Sequence, residues 1–321
     1  MRAPIGFTVG LDVAGRDRAT WEADIAAALD IGATCIRTGL SFWDLDSADS
    51  KAWVRARFQY AHDQGLRIML TLAQLVGNDP AATNTTAVPA AIANGAMAYD
   101  VVDGVVEWVQ VLNEWDSNDW RNWSTTLGPG YNPGGVPRPG ATDDYLRGVR
   151  DVIAGVRAHV HATHPGVLVG TATTGVSMDG NTEIMWRRLY DIVAPACDYI
   201  GLNGYPITWA EQYRMMPARM IRTSVRYGKP VILTEIGLST AETATQGEQG
   251  EWIAHMADRA SRASAVAGVF LYMLRDTGTV TTEKEQSFGI LKADGSQKQG
   301  YRTVRYALRS ITGDMLESIA K

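Results

Sequence analysis

Residues 109–116 read Val-Gln-Val-Leu-Asn-Glu-Trp-Asp, an apolar run that ends abruptly in an amide, a carboxylate and an indole. Residues 230–237 read Pro-Val-Ile-Leu-Thr-Glu-Ile-Gly, and this second apolar run also ends in a carboxylate. Near-continuous runs rich in Val, Ile and Leu are typical of strands in a parallel sheet that is covered on both faces. The two stretches therefore predict two buried strands, each of which delivers one glutamate at its C-terminal end.

The same pattern of a short apolar run followed by a longer helical segment repeats along the whole chain. The eight runs are 5–12, 33–38, 66–72, 105–112, 167–172, 198–204, 230–235 and 267–273. Eight such units without a break in composition favour an α/β fold, a single (β/α)8 barrel that spans residues 1–321 as one domain. An open, doubly wound parallel sheet is the structural alternative.

Capping residues predict where several helices begin and end. Thr20 is predicted to cap a helix that stops at Gly32, and a helix from near Ser50 is predicted to close at Gly65. An apolar stripe with a period of 3.6 residues predicts a helix opened by Thr142. The helices predicted after the fourth strand cover 142–161, 182–193, 209–227, 247–265 and 299–312.

Composition and charge argue against several classes of protein. The 321 residues are 45% hydrophobic and 20% charged, as in an ordinary globular protein with a sizeable core. The net charge of −5 and the lack of a Lys/Arg run argue against nucleic-acid or membrane-surface partners. No run approaches 18 consecutive apolar residues, so no membrane-spanning helix is predicted. We expect a soluble protein and a monomer.

The cysteines and the first residues bear on the cellular compartment. Cys35 lies inside an apolar run and Cys197 just before another, a placement more typical of buried thiols than of a disulfide. Residues 1–6 carry one charge and no continuous apolar stretch, so no signal peptide is predicted. These observations leave the compartment open between the cytoplasm and secretion of a processed form.

The ends of the predicted strands carry an unusual number of polar and aromatic residues. In a (β/α)8 barrel the catalytic residues lie at the C-terminal ends of the strands and in the loops that follow. The candidates at these positions are Asp12, Arg37, Trp43, Asp44, Gln74, Asn113, Glu114, Thr173, Asn203, Tyr205, Glu235, Tyr272 and Arg275.

Two carboxylates facing one gap are suited to cleaving glycosidic bonds. A retaining glycosidase needs one acid to protonate the leaving oxygen and one carboxylate to attack the anomeric carbon, with the two groups about 5–5.5 Å apart. Strands four and seven lie opposite each other in a closed barrel, so Glu114 and Glu235 can meet this requirement. Asn113 is well placed to hydrogen-bond a sugar 2-hydroxyl. A buried ion pair or a structural hydrogen-bond network is the alternative explanation for the two glutamates.

The longest connection, from Trp115 to about Ala141, follows the fourth predicted strand. It carries Trp115, Trp120, Trp123, Tyr131 and four prolines. Long connections of this kind are usually binding loops or lids, and flat indoles can bury the apolar faces of sugar rings. A small satellite core closed by the tryptophans is the alternative.

The residues at these strand ends resemble a known superfamily. Asn113-Glu114 at the end of the fourth strand, with Glu235 at the end of the seventh, resembles the signature of the clan A glycoside hydrolases, which are retaining (β/α)8 enzymes. The resemblance implies that Glu114 is the acid/base and Glu235 the nucleophile. It also implies that Arg37 supports the nucleophile and that Tyr205 touches it.

Two positions depart from the pattern of the clan, although the closing segment 288–301 is similar to it. Many members have a histidine where Asn203 stands, and many have a tryptophan at the end of strand eight, where this chain offers Tyr272. Both departures concern the central subsite and therefore the identity of the sugar. The residues expected to bind a carbohydrate substrate are Asn113, Arg37, Tyr205, Asn203, Trp115, Trp43 and Tyr272.

Other chemistries fit these strand ends less well. The five histidines fall in predicted helices or at their ends, at spacings that do not form a metal site. A Schiff-base enzyme needs a strand-end lysine, but Lys229 precedes the seventh strand on the opposite face. No phosphate-binding or dinucleotide motif is present. No cofactor and no metal are therefore expected. A barrel that binds carbohydrate without cleaving it, and a transglycosylase that uses the same two glutamates, are the rival functions.

Overall fold

Eight parallel strands close into a barrel in the computed structural model, which describes residues 2–10, 17–77, 82–102, 104–115, 131–132, 136–137, 143–173, 189–205, 220–241, 244–277 and 286–313. The strands follow one another around the barrel in chain order, and the last pairs with the first. The predicted (β/α)8 barrel is confirmed. Its strands are β1 Ile5–Thr8, β2 Cys35–Ser41, β3 Arg67–Gln74, β4 Trp108–Asn113, β5 Leu168–Thr173, β6 Tyr199–Gly204, β7 Val231–Ile236 and β8 Val266–Leu271.

Helices connect the strands on the outside of the barrel. They are α1 Arg18–Ile31, α2 Ala48–Asp63, α3 Asn84–Val101, α4 Asp143–Thr163, α5 Gln246–Arg262 and α6 Tyr301–Thr312, and residues 189–193 and 220–227 are also helical. A short antiparallel pair, Tyr131–Asn132 with Val136–Pro137, lies between β4 and α4. Among the described helices, none has the length and apolar character needed to cross a bilayer.

The interior of the barrel is apolar at one end and polar at the other. The apolar end is filled by one cluster of buried side chains, in which the rings of Trp108 and Phe270 meet edge to face with centroids 5.8 Å apart. Apolar side chains on the outward faces of the strands pack against the helices and form the main core. The inner cluster consists of Cys35, Met69, Trp108, Tyr199, Ile232 and Phe270. This inner cluster, which we call the plug, fills the barrel near the N-terminal ends of the strands. Polar side chains lie at the opposite end, where the strands have their C-terminal ends.

The structure confirms two predicted helix ends and corrects one helix start. Gly32 and Gly65 follow α1 and α2 with φ of 93° and 85°, a left-handed conformation that costs glycine least. The residue that caps α1 is Asp17 and not Thr20, because the Asp17 carboxylate accepts the Thr20 N–H at 2.9 Å. The aspartate therefore occupies the N-cap, and Thr20 lies in the first turn of the helix.

One helix had no sequence prediction. Helix α3 contains Pro89 in its first turns, and its many alanines lie on all sides, so it shows no apolar stripe. It packs against α4, which begins at Asp143, next to the predicted opening residue. Thr142 and parts of two further predicted helices, 182–188 and 209–219, lie outside the described residues.

The two cysteines are free and buried, as the sequence predicted. Cys35 belongs to the plug inside the barrel, whereas Cys197 belongs to the outer core. Burial raises the pKa of both thiols, that of Cys197 to about 12, because a thiolate would lose its hydration there. Both side chains therefore behave as small apolar groups at neutral pH.

Candidate active site

A bulge at the end of β4 points neighbouring side chains into the barrel. Gln110 pairs with Gly170 and Asn113 with Ala172, so β4 has one residue more than β5 over this interval. Leu112 and Glu114 have φ of 61° and 50°, which few non-glycine residues adopt and which costs about 1–3 kcal/mol each. In a regular strand adjacent side chains point to opposite faces. The bulge cancels this alternation.

A second bulge, at the end of β7, presents Glu235. Leu202 pairs with Leu233, but the next residue of β6, Asn203, pairs with Glu235, so Thr234 is the extra residue. The Thr234 hydroxyl donates to Asn203 Oδ1 at 2.6 Å, and the adjacent Glu235 also faces the interior. Bulges commonly lie next to active sites, where they re-aim a side chain.

Glu235 is buried between a cation and a phenol. The Arg37 Nη2 atom lies 2.8 Å from Glu235 Oε1, and both side chains are almost fully buried. The Tyr205 hydroxyl donates to the other oxygen, Oε2. The carboxylate is thus held in one orientation by contacts on both oxygens, with its charge compensated by the guanidinium.

Glu114 joins the same network through amide side chains. Asn203 Nδ2 donates to Glu114 Oε1 at 2.9 Å and lies 3.4 Å from Asn113 Oδ1. The same Asn113 oxygen accepts a hydrogen bond from Arg37 Nη2 at 3.3 Å. Since Arg37 contacts Glu235, an unbroken series of polar contacts links the two carboxylates across the barrel opening.

Three aromatic rings form a wall beside Glu235. Tyr205 lies edge-on to Tyr272 and Phe288, with centroids 5.6 Å and 5.3 Å away. Desolvation, followed by the negative charges of Glu235 and Glu114, raises the pKa of Tyr205 well above its usual value. The phenol therefore keeps its proton at neutral pH and serves as a hydrogen-bond donor to Glu235.

Trp115 is not part of this site, contrary to the sequence-based expectation. Its indole is 1% exposed, and its N–H donates to the Thr171 hydroxyl at 3.0 Å. The Trp115 carbonyl accepts a hydrogen bond from Tyr145 at 2.6 Å. The residue after Glu114 therefore anchors the end of β4 in the outer core.

Replacing Trp115 with alanine is expected to lower the free energy of unfolding by about 3–5 kcal/mol, because it opens a large buried cavity and removes the indole N–H that donates to Thr171. Replacing Trp43, which is 44% exposed, is the matched control and should change it by no more than about 0.5 kcal/mol. Urea denaturation of both variants measures the difference. Equal losses in the two variants would contradict the placement of Trp115 in the core.

The other strand-end candidates divide between the rim, the core and the outside of the barrel. Trp43 and Asp44 follow β2 at the rim, where Asp44 accepts the Ser41 N–H at 2.6 Å. Arg275 turns outward and forms an ion pair with the buried Asp24 of α1. Gln74 accepts a hydrogen bond from Ser41, and Thr173 is buried. Asp12, Trp120, Trp123 and most of the long connection after β4 lie outside the described residues.

Sequence reasoning missed four residues that the structure brings to the site. Thr8 and Gln110 accept hydrogen bonds from Arg37. The Thr234 hydroxyl donates to Asn203, and the ring of Phe288 packs on that of Tyr205. The first three are polar residues within strands that are otherwise nearly apolar, and this contrast could have marked them as candidates in the sequence. Phe288 is far from the strands in sequence and gave no such signal. The described residues include no cluster of three or more His, Cys, Asp or Glu side chains that could hold a metal ion.

Comparison with known proteins identifies structural likeness but no relative by sequence. No family model and no curated protein matches the sequence. Many solved structures match the fold. They include a complex of GH5_18 from Bifidobacterium longum subsp. longum with Manβ1-4GlcNAc, which has a TM-score of 0.70 at 14% identity. A family 39 glycoside hydrolase from Bacteroides cellulosilyticus has a TM-score of 0.68 at 16% identity.

A β-glucuronidase from an uncultured Clostridium also matches, with a TM-score of 0.65 at 16% identity. Each match covers nearly the whole of this chain, at 96–98%. The chain spans 50% of the β-glucuronidase, 64% of the family 39 enzyme and 78% of GH5_18. The shared feature is the fold. That fold is the (β/α)8 barrel.

Proposed function

We propose that the protein is a retaining glycoside hydrolase in which Glu235 is the nucleophile and Glu114 the acid/base. The observation that carries this proposal is the pair of bulges, which turn one carboxylate from β4 and one from β7 into a single polar network. The structural likeness to glycoside hydrolases of families 5 and 39 supports it. Double displacement needs two carboxyl groups on opposite sides of the reacting carbon.

The surroundings of the two carboxylates favour different roles. Glu235 is buried and paired with Arg37, and the Tyr205 hydroxyl orients its second oxygen, so one lone pair can be aimed at an anomeric carbon. Glu114 is partly exposed and accepts a hydrogen bond from the neutral amide of Asn203. A partly exposed carboxyl group can exchange a proton with a leaving oxygen and then with water, as an acid/base must.

In the proposed first step, Glu235 attacks the anomeric carbon while Glu114 gives its proton to the departing oxygen. The bond to the leaving group breaks, and a glycosyl ester on Glu235 forms. In the second step Glu114 takes a proton from water, the water oxygen attacks the same carbon, and Glu235 leaves. The products are the free alcohol and a sugar with its original configuration.

The proposed substrate is a poly- or oligosaccharide with equatorial β-linkages or the furanoside equivalent, as the clan resemblance implies. Asn113 and Asn203 are proposed to bind sugar hydroxyl groups, and Arg37 and Tyr205 to hold the nucleophile. The rim residue Trp43 is proposed to stack on a sugar beyond the reacting one, since it is an exposed aromatic residue at the rim. The buried Tyr272 is proposed to shape the central subsite through Tyr205.

A panel of chromogenic β-glycosides and cell-wall polysaccharides tests the activity. The wild-type protein is expected to release chromophore or reducing sugar from at least one member, with retained configuration by NMR of the first product. Protein with both glutamates changed to glutamine serves as the blank. Failure to cleave every member of a broad panel, or an inverted first product, would contradict the proposal.

A further inference from the structure

Gln110 lies in the middle of β4, below the two glutamates, and its side chain is completely buried. Its two amide ends meet two different parts of the site. Arg37 Nε donates to Gln110 Oε1 at 3.1 Å, and Gln110 Nε2 donates to Asn113 Oδ1 at 2.7 Å. One neutral side chain therefore connects the cation that holds Glu235 with the amide beside Glu114.

The chemistry of these groups gives the contacts a fixed direction. A guanidinium only donates hydrogen bonds, so the oxygen of Gln110 must face Arg37 and its nitrogen must face Asn113. The oxygen of Asn113 then faces Gln110 and Arg37 and accepts a hydrogen bond from each of them. With its oxygen held by these donors, Asn113 has its nitrogen to offer to a sugar hydroxyl in the proposed function.

The lack of charge on Gln110 matters as much as the orientation of its side-chain amide. Within the described part of the chain, Glu235 is the carboxylate that pairs with Arg37, whose other acceptors are the uncharged oxygens of Thr8, Gln110 and Asn113. A second carboxylate beside the guanidinium of Arg37 would compete with Glu235 for its positive charge. An amide at this position orients Arg37 without competing with Glu235 for it.

We propose that Gln110 is a positioning residue that sets the orientation of Asn113 and reserves the charge of Arg37 for Glu235. The kinetic part of this inference rests on the proposed function, but the orientation of Asn113 does not. Two variants separate the contributions. Gln110→Met keeps the size and neutrality but removes both hydrogen bonds, and Gln110→Glu keeps the shape but adds a charge when it is ionised.

Thr71 provides a matched control. It lies directly opposite Gln110 on β3 and is buried in the same strand pair, and its hydroxyl has no hydrogen-bond partner among the described residues. Thr71→Val therefore alters a neighbouring interior side chain of the same size without touching the network. Thermal unfolding of all three variants checks that each is folded.

NMR of side-chain amides tests the orientation without any need for turnover. The Gln110 amide signals are identified by their loss in Gln110→Met. We expect the Asn113 amide signals to shift in both Gln110 variants and to stay in place in Thr71→Val. Asn113 signals that are the same in the wild type and in all three variants would overturn the proposal. If only one Gln110 variant folds, that variant decides the test.

Kinetics then test the consequence for catalysis. In Gln110→Met we expect kcat/KM to fall about 10- to 100-fold at every pH, and the preference for a substrate over its 2-deoxy analogue to fall about tenfold. If Gln110 served only in folding, its replacement would lower kcat/KM equally for the substrate and for its 2-deoxy analogue. If the wild type cleaves no glycoside, the proposed function fails while the NMR result still stands or falls by itself.

The pH profile of Gln110→Glu gives the sharpest kinetic readout. A protonated carboxyl group offers one acceptor and one donor, as the amide does, whereas the ionised form only accepts. Arg37 contacts this position directly, Glu235 is linked to it through Arg37, and Glu114 through Asn203 and Asn113. Tyr199 lies nearby, with its hydroxyl donating to the carbonyl of the preceding residue, Val109. We expect the ratio of variant to wild-type kcat/KM to fall about tenfold or more as pH rises from about 4 to about 8. A ratio that is flat with pH would contradict the proposal.

Discussion

Glu235→Ala is expected to lower kcat on the order of 10⁴-fold or more, because it removes the only group proposed to attack the anomeric carbon. Added azide is expected to restore turnover and to yield a glycosyl azide of inverted configuration. The small anion can occupy the space of the missing carboxylate and attack from the same side. Initial rates with and without azide, and NMR of the product, measure both effects.

The stability of this variant must be measured alongside its activity. Arg37 is buried, and removing its partner leaves an uncompensated charge, which costs about 3–5 kcal/mol in comparable sites. Glu235→Gln keeps an acceptor for Arg37 and separates the loss of the nucleophile from the loss of folding. Glu107→Ala, at the exposed opposite end of the barrel, is the control that should keep full activity. Turnover by Glu235→Gln at the wild-type rate would rule out the assigned role.

Glu114→Ala is expected to lower kcat/KM about 10²–10⁴-fold for substrates with poor leaving groups, because the departing oxygen loses its proton donor. Substrates whose leaving group is a stable phenolate need no such proton in the first step. Their covalent intermediate should form at a nearly normal rate and then accumulate, since Glu114 is also the base of the second step. A series of aryl glycosides, followed for a burst of released phenol, measures this dependence.

The stereochemistry of azide rescue distinguishes the two glutamates. In Glu114→Ala, azide is expected to attack the intermediate from the side of the missing acid/base and to yield a product of retained configuration. The two variants are therefore matched controls for each other, since the same reagent gives opposite anomers. If Glu114→Ala lowered kcat/KM equally for every leaving group, or gave azide products of inverted configuration, the acid/base role would be excluded.

The eight strands and the two strand-end glutamates were accessible from sequence because their signal is local. A strand covered on both faces must be nearly continuous in apolar residues, and the carboxyl ends of parallel strands meet at one edge of the barrel. Polar residues at these ends, such as Asn113 and Glu235, could therefore be named before their contacts were known. The order and closure of the strands confirm the predicted barrel, whereas the roles of the strand-end residues stay a prediction.

The details of the site depend on backbone geometry that alternation does not reveal. A regular strand would point Asn113 and Glu114 to opposite faces, and only the bulge on β4 brings both into the barrel. The prediction for Trp115 was wrong for a related reason. The residue that follows the bulge turns outward, and its indole finds Thr171 in the core.

The role of Gln110 was hidden for a different reason. A single polar residue in an apolar strand can be a buried structural amide or part of a site, and its neighbours decide between the two. Its partners Arg37 and Asn113 come from a different strand and from beyond the bulge. Only the three-dimensional contacts join it to Glu235.

The most direct test of the central claim is to trap the covalent intermediate. A 2-deoxy-2-fluoro version of the cleaved glycoside, with an activated leaving group, slows the second step and leaves the sugar on the nucleophile. Mass spectrometry of the digested protein should find one added glycosyl group on the peptide that contains Glu235, and none in Glu235→Gln. A wild-type protein that turns over its substrate but carries the label on Glu114, on another residue, or nowhere would contradict the account.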